Sequence, residues 1–133
     1  MIDVESQIVN YIKDGLLDER PDCNIESTLP MVPTKFPTVS IEETDNYSLT
    51  TTRDSATTEH DAVVTYDVNV FSNKAFGKKA EAKAILSIVD SLFAELEFTR
   101  LSCVPMYANE SSVYRLAARY RAVVSKDEEI SRS

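Results

Sequence analysis

The sequence predicts an α+β fold, a two-layer sandwich in which an antiparallel sheet of about four strands, with a long projecting hairpin, carries two helices on one face. Three observations predict it. Residues 4–17 and 78–96 repeat apolar side chains at three- and four-residue steps, the period of a helix with one buried face. Residues 61–72 and 113–124 alternate apolar and polar side chains, the period of a strand with one buried face. The chain of 133 residues, 43% apolar and 27% charged, is the size of one domain and can bury roughly 60% or more of its unfolded surface without disulfide or metal staples.

The first helix rests on Val4, Ile8, Ile12 and Leu16, with Asp3 as its expected N-cap and Gly15 followed by Arg20-Pro21 marking its end. Residues 21–37 hold four of the five prolines, which predicts a loop or edge strand with Cys23-Asn24-Ile25-Glu26 as its strand-like part. From Phe36 the period changes to two, Val39 and Ile41 facing inward and Thr38, Ser40 and Glu42 outward. Tyr47 to Thr52 continues this strand into a turn near Arg53-Asp54-Ser55, and residues 46–60 are expected to project as an arm with few apolar side chains. The returning strand turns Ala62, Val64, Tyr66, Val68 and Val70 inward and Asp61, Thr65, Asp67 and Asn69 outward.

After a turn over Ser72 to Gly77 comes the strongest helix, Lys78 to Leu96, whose buried face is Ala82, Ile85, Leu86, Val89, Phe93 and Leu96. Phe98 to Val104 is expected as a strand ended by Pro105. The final strand, Val113 to Val124, directs Tyr114, Leu116, Ala118, Tyr120, Ala122 and Val124 to the core and Arg115, Arg119 and Arg121 to the other face. One domain is therefore expected over residues 1–125, followed by a charged, frayed tail over 126–133.

Fourteen basic and 22 acidic residues give a net charge of −8, which argues against a protein that coats nucleic acid by counterion release. The acidic start MIDVESQ has no basic segment leading an apolar one, and no apolar run reaches spanning length, so an unexported protein without a membrane segment is expected. Cys23 and Cys103 make no metal-ligand spacing and are expected as buried thiols in a reducing compartment. With only two glycines, Gly15 and Gly77, neither a phosphate-binding loop nor a dinucleotide fingerprint can be written. The one histidine, His60, between Glu59 and Asp61, lacks a second His or nearby Cys, so no metal site, cofactor or catalytic residue is expected.

Two charge features remain. The row Arg115, Arg119, Arg121 faces either solvent, with cross-strand partners at Asp67 and Asp61, or another subunit, where the planar guanidinium pairs well once dried. Lys78, Lys79 and Lys83 crowd the start of the long helix while Glu95 and Glu97 lie at its end, the reverse of what the helix dipole prefers. Solubility accounts for this, and so does a charged contact with another chain, for which a two-ended polarity suits head-to-tail association. The candidate interface residues from these two features are Lys78, Lys79 and Lys83 and the three arginines.

An N-terminal helix, a Pro-rich connection into Phe36-Pro37-Thr38-Val39 with Glu42-Glu43 soon after, and a Ser/Thr-rich hairpin closing near His60 form a recognisable order. Val68-Asn69-Val70-Phe71-Ser72 then precedes Gly77-Lys78-Lys79-Ala80-Glu81-Ala82, and Arg119-Tyr120-Arg121-Ala122-Val123 closes the fold. Over residues 1–125 this resembles the tail-completion, or tail-to-head joining, proteins of long-tailed bacteriophages, which are similar in fold and role to tail terminators. The resemblance implies a structural virion protein without an active site or cofactor. It implies a ring, usually of six subunits, that caps the tail tube at the tail-head junction and offers a docking surface to the head-closure or neck protein, with the arm residues Tyr47, Arg53, Asp54 and His60 as candidate contacts to a neighbouring subunit or the tube. It implies that DNA only passes through the channel, and that the subunit resides in the host cytoplasm during assembly. The Pro-rich segment and charged tail depart from the pattern and keep another neck role open, head closure among them. A cytosolic α+β ligand-binding or regulatory module is the alternative from a different class.

Overall fold

The computed structural model describes residues 4–28, 35–49, 61–106 and 112–125. Two helices, α1 (Glu5–Glu19) and α2 (Lys78–Glu95), pack on one face of a five-stranded sheet. Its strands are β1 (Asn24–Glu26), β2 (Thr38–Leu49), β3 (Asp61–Ser72), β4 (Thr99–Met106) and β5 (Tyr114–Ser125), in the spatial order β1-β2-β3-β5-β4. The α+β architecture expected from the sequence is present, with five strands where about four were expected.

The sheet is mixed, because β1 pairs with β2 in parallel while all the other pairs are antiparallel. Strands β1 and β2 run the same way, which makes the short edge strand parallel. Inward side chains are those the alternation predicts: Val39 and Ile41, then Val64, Tyr66, Val68 and Val70, then Leu116, Ala118, Tyr120 and Val124, all buried. Helix α1 contributes Val4, Ile8, Ile12 and Leu16 and helix α2 contributes Ala82, Ile85, Val89 and Phe93. Phe93 stacks on Tyr120 at 4.3 Å between ring centroids and meets Phe98 edge-on at 5.0 Å, so aromatic rings fill the space between α2 and the sheet.

Several local expectations are corrected. Helix α1 begins at Glu5 with Val4 as its N-cap, and Asp3 lies outside the described residues. Gly15 sits inside α1 and does not end it, because the helix runs to Glu19. A Cβ at Gly15 would lie 2.6 Å from Leu92 Cδ2, so the glycine marks a close approach of the two helices. Thr38 and Ser40 point to the outer face as expected, yet both are fully buried. Flanking strands on both sides, with Asn24 and Glu26 opposite Thr38 and Ser40 in β1, and Phe71 and Asn69 in β3, cover them. Pro105 lies within β4, not at its end; as part of an edge strand it needs no partner for a missing N–H.

A bulge between Glu43 and Asp45 shifts the register of β2 and turns over the strand beyond it. Glu43, before the bulge, faces inward with Val39 and Ile41 and accepts a hydrogen bond from Tyr66 Oη at 2.8 Å, while beyond the bulge Tyr47 faces outward beside Val63. The arm expected over residues 46–60 is described only to Leu49, and as far as that it is an ordinary paired strand. Residues 50–60 and the tail 126–133 lie outside the described residues.

Candidate functional site

Strand β4 is the long free edge of the sheet, and every one of its eight residues is exposed. Leu101, Val104 and Met106 are each 46% exposed, so apolar surface accompanies a row of backbone groups with no strand beyond them among the described residues. The cause is placement: α2 crosses over β3 and β5 and stops short of β4. A second bulge, between Arg100 and Ser102, gives β4 apolar residues on both faces, with Cys103 and Pro105 toward the helices and Val104 and Met106 away from them.

Between α2 and β4 this leaves an open groove of about 470 Å³. Its floor is Leu86, Leu116 and Pro105, with Cys103 on its wall, and its rim carries Lys79, Lys83 and Arg100 against a single carboxylate, Asp90. Asp90 is engaged, accepting from Tyr120 Oη at 3.0 Å and from Arg100 Nη1 at 3.4 Å. Burial first, and then the Asp90 charge, push the Tyr120 phenol well above its ordinary value, so it stays a donor. Cys103, expected buried, is exposed in this groove for the same reason that the groove exists.

The candidate residues separate onto two surfaces. Lys79 and Lys83 line the groove, and Lys78 Nζ donates to the Ser112 carbonyl at 3.4 Å beside it. The arginines stand on the opposite, outer sheet face, and two of them are engaged within the subunit. Arg119 makes a two-pronged pair with Asp67, at 2.8 and 3.2 Å, whose hydrogen bond and charge raise the guanidinium above its ordinary value. Arg115 donates to Asn69 Oδ1 at 2.8 Å and lies 5.7 Å from the Phe71 ring centroid. Arg121 stands opposite Thr65, not Asp61, and remains exposed. Tyr47 is half exposed on that outer face, next to the register pair Val63 and Val123. Arg53, Asp54 and His60 lie outside the described residues.

The other lateral flank of the molecule has the opposite charge. Beside β1, the N-terminal half of α1 and the bulged part of β2 enclose a cleft of about 490 Å³. Glu5, Glu42 and Glu43 line it with Asn10 and Ser27, and no cation joins them among the described residues. Glu5 Oε2 accepts from the Glu43 backbone N–H at 3.3 Å, which ties α1 to the bulge. At the far end of α1, Arg20 bridges Glu81 at 3.1 Å, and Glu81 accepts from Ser72 Oγ at 2.5 Å, joining α1, α2 and β3. Buried next to this junction, the Cys23 thiol is pushed up to about 11, chiefly by desolvation.

The exposed apolar residues of β4, with Arg100 and Phe76, lie outside the set that the sequence marks as an interface. Phe76, 88% exposed on the turn before α2, is the clearest of them. The available signal is TRLSCVPM itself, a strand with apolar residues at both parities and a proline inside it. Among the described residues there is no group of three or more His, Cys, Asp or Glu side chains placed to hold a metal, and no helix is long and apolar enough to cross a membrane. Compared with known proteins, the chain matches no family model and no curated sequence.

Proposed function

We propose that this chain is a structural subunit of the head-proximal end of a bacteriophage tail. In this reading, copies close into a ring, expected to hold six, that ends the tail tube and presents the docking surface for the head-closure or neck protein. The observation that carries the proposal is the β4 edge, a strand with no neighbour on its outer backbone side among the described residues and exposed on both faces. Isolated folds suppress such edges, whereas subunits use them as contact surface. The order of sequence elements described above directs the general role of assembly protein to this particular place. A net charge of −8 suits a ring through which DNA passes without adhering.

The experiment is to purify particles of the source phage on a gradient and quantify this chain against the major tail protein by mass spectrometry. About six copies per particle, at a fixed ratio, is the expected result for a closed ring. Absence from particles, with the chain left in the soluble fraction, overturns the virion role.

A further inference from the structure

The two lateral flanks differ in ways that complement one another. At the β4 flank the groove carries three cations, Lys79, Lys83 and Arg100, and one carboxylate already engaged. At the β1 flank the cleft carries three carboxylates, Glu5, Glu42 and Glu43, of which Glu5 and Glu43 also accept hydrogen bonds within the subunit, and no cation lines it among the described residues. The β4 flank is a groove with an apolar floor and a positive rim, and the β1 flank is an acidic cleft beside a strand only three residues long. They stand at opposite edges of one sheet, so a contact between them repeats in one direction around a set of identical subunits.

We infer that the α2/β4 groove is the docking site for a second copy of this chain, which sets its acidic α1/β2 flank against Lys79, Lys83 and Arg100. This rests on the ring reading above and names the surfaces that build the ring. A heterologous contact of this kind buries different surfaces on the two partners, and it closes when the rotation per subunit divides a full turn. Apolar floor residues Leu86, Leu116 and Pro105 supply the area removed from water, and the charged rims set which copy faces which way. An antiparallel β4 to β4 pairing is the competing arrangement, and it brings three like charges on each side together. The outer-face arginines stand on the other side of the sheet from this groove, and two of them, Arg115 and Arg119, are already paired within the subunit.

Cys103 is a native reporter in the groove, while Cys23 is buried. An Asn10→Cys chain places a second thiol on the acidic flank, where Asn10 is exposed. A short bismaleimide applied to this chain at high concentration is expected to give a covalent ladder of oligomers that Cys103→Ser abolishes. An Asn73→Cys chain, with its extra thiol exposed on the turn before α2, is expected to give none. Lys79→Glu with Lys83→Glu, or Glu42→Lys, each placed in the Asn10→Cys chain, is expected to lose the ladder. Mixing those two variants is expected to restore a cross-link between them, joining Cys103 of the Glu42→Lys chain to the thiol introduced at position 10 of the lysine variant. That cross-link also shows that both variants are folded. Only Cys103 to Cys103 dimers, or no cross-link in the Asn10→Cys chain without charge reversals, overturns the inference. A chain found in particles whose assembly ignores the charge reversals keeps the tail role and loses this contact. A chain that forms the ladder but is absent from particles keeps the contact and loses the tail role.

Discussion

At the scale of single residues, the two cysteines show how far burial is a property of neighbours. Cys23 and Cys103 are the same residue type in strand-like surroundings, yet one is buried beside Arg20 and the other lies open because α2 does not reach over β4. Small apolar character predicts a core position for both. It cannot report where a helix axis stops. The buried thiol has a thermodynamic consequence. Its folded value of about 11 lies above the ordinary 9.0, so the native state holds this proton more tightly than the unfolded chain does. The stability it contributes is complete below about pH 9 and is lost as the pH rises through about 11. Denaturant midpoints measured across that window are expected to fall, and Cys23→Ala is expected to flatten the fall. An unchanged slope in Cys23→Ala would assign it to other groups, Tyr120 first. The arginine row is legible to the same limited degree: its face and its Asp67 partner follow from parity, whereas Asn69 and Phe71 as partners of Arg115 require the register.

At the scale of elements, what can be read depends on how one-sided each element is. The α2 face and the alternation of β3 and β5 are long and unambiguous, and their inward residues are the ones found buried. The β2 bulge is hidden because Glu42-Glu43-Thr44-Asp45 is polar throughout, so no apolar residue marks the change of side. Gly15 reads as punctuation along the chain and is a contact in the fold. Alanine there gains about 0.5–1 kcal/mol of helix preference, but its methyl group meets the Leu92 side chain. Gly15→Ala is therefore expected to be neutral to destabilising in the native background, and to stabilise a Leu92→Ala chain by up to about 1 kcal/mol. Thermal or denaturant unfolding of the four chains checks it; equal effects in both backgrounds would mean that the helices relax freely at this crossing. Helix α2 carries its lysines against its own dipole. Lys79→Glu is expected to raise stability by about 0.3–1 kcal/mol while weakening self-assembly, so that stability and assembly move in opposite directions. A loss of stability in that variant would make the lysine a structural residue.

At the scale of the whole molecule, the charge is sorted by flank and by layer, and this cannot be read along the chain. Lys79 and Arg100, 21 positions apart, share a rim, while Lys79 and Arg119, both interface candidates by sequence, stand on opposite faces of the sheet. Lys79 and Lys83 line the groove, whereas Arg115 and Arg119 are paired within the subunit. The net charge of −8 supports a prediction at this scale: the purified chain is expected to leave duplex DNA unshifted in a mobility assay at about 0.1 M salt, where surface fields reach roughly 10 Å. Retention of the duplex would be incompatible with a passive channel wall.

The make-up of the sheet's two edges has a consequence for the subunit before it meets its partners. Fibrils grow when a sheet offers a long edge at both ends, so that each added chain renews the template. Here β4 presents eight residues along one edge, and on the other side β1 covers only the first three residues of β2, leaving 41–49 without a neighbouring strand among the described residues. If two chains err by joining β4 to β4, the far part of each β2 still offers an edge of comparable length. What interrupts growth there is the bulge and the charges of Glu42, Glu43 and Asp45 on β2, as Pro105 does on β4.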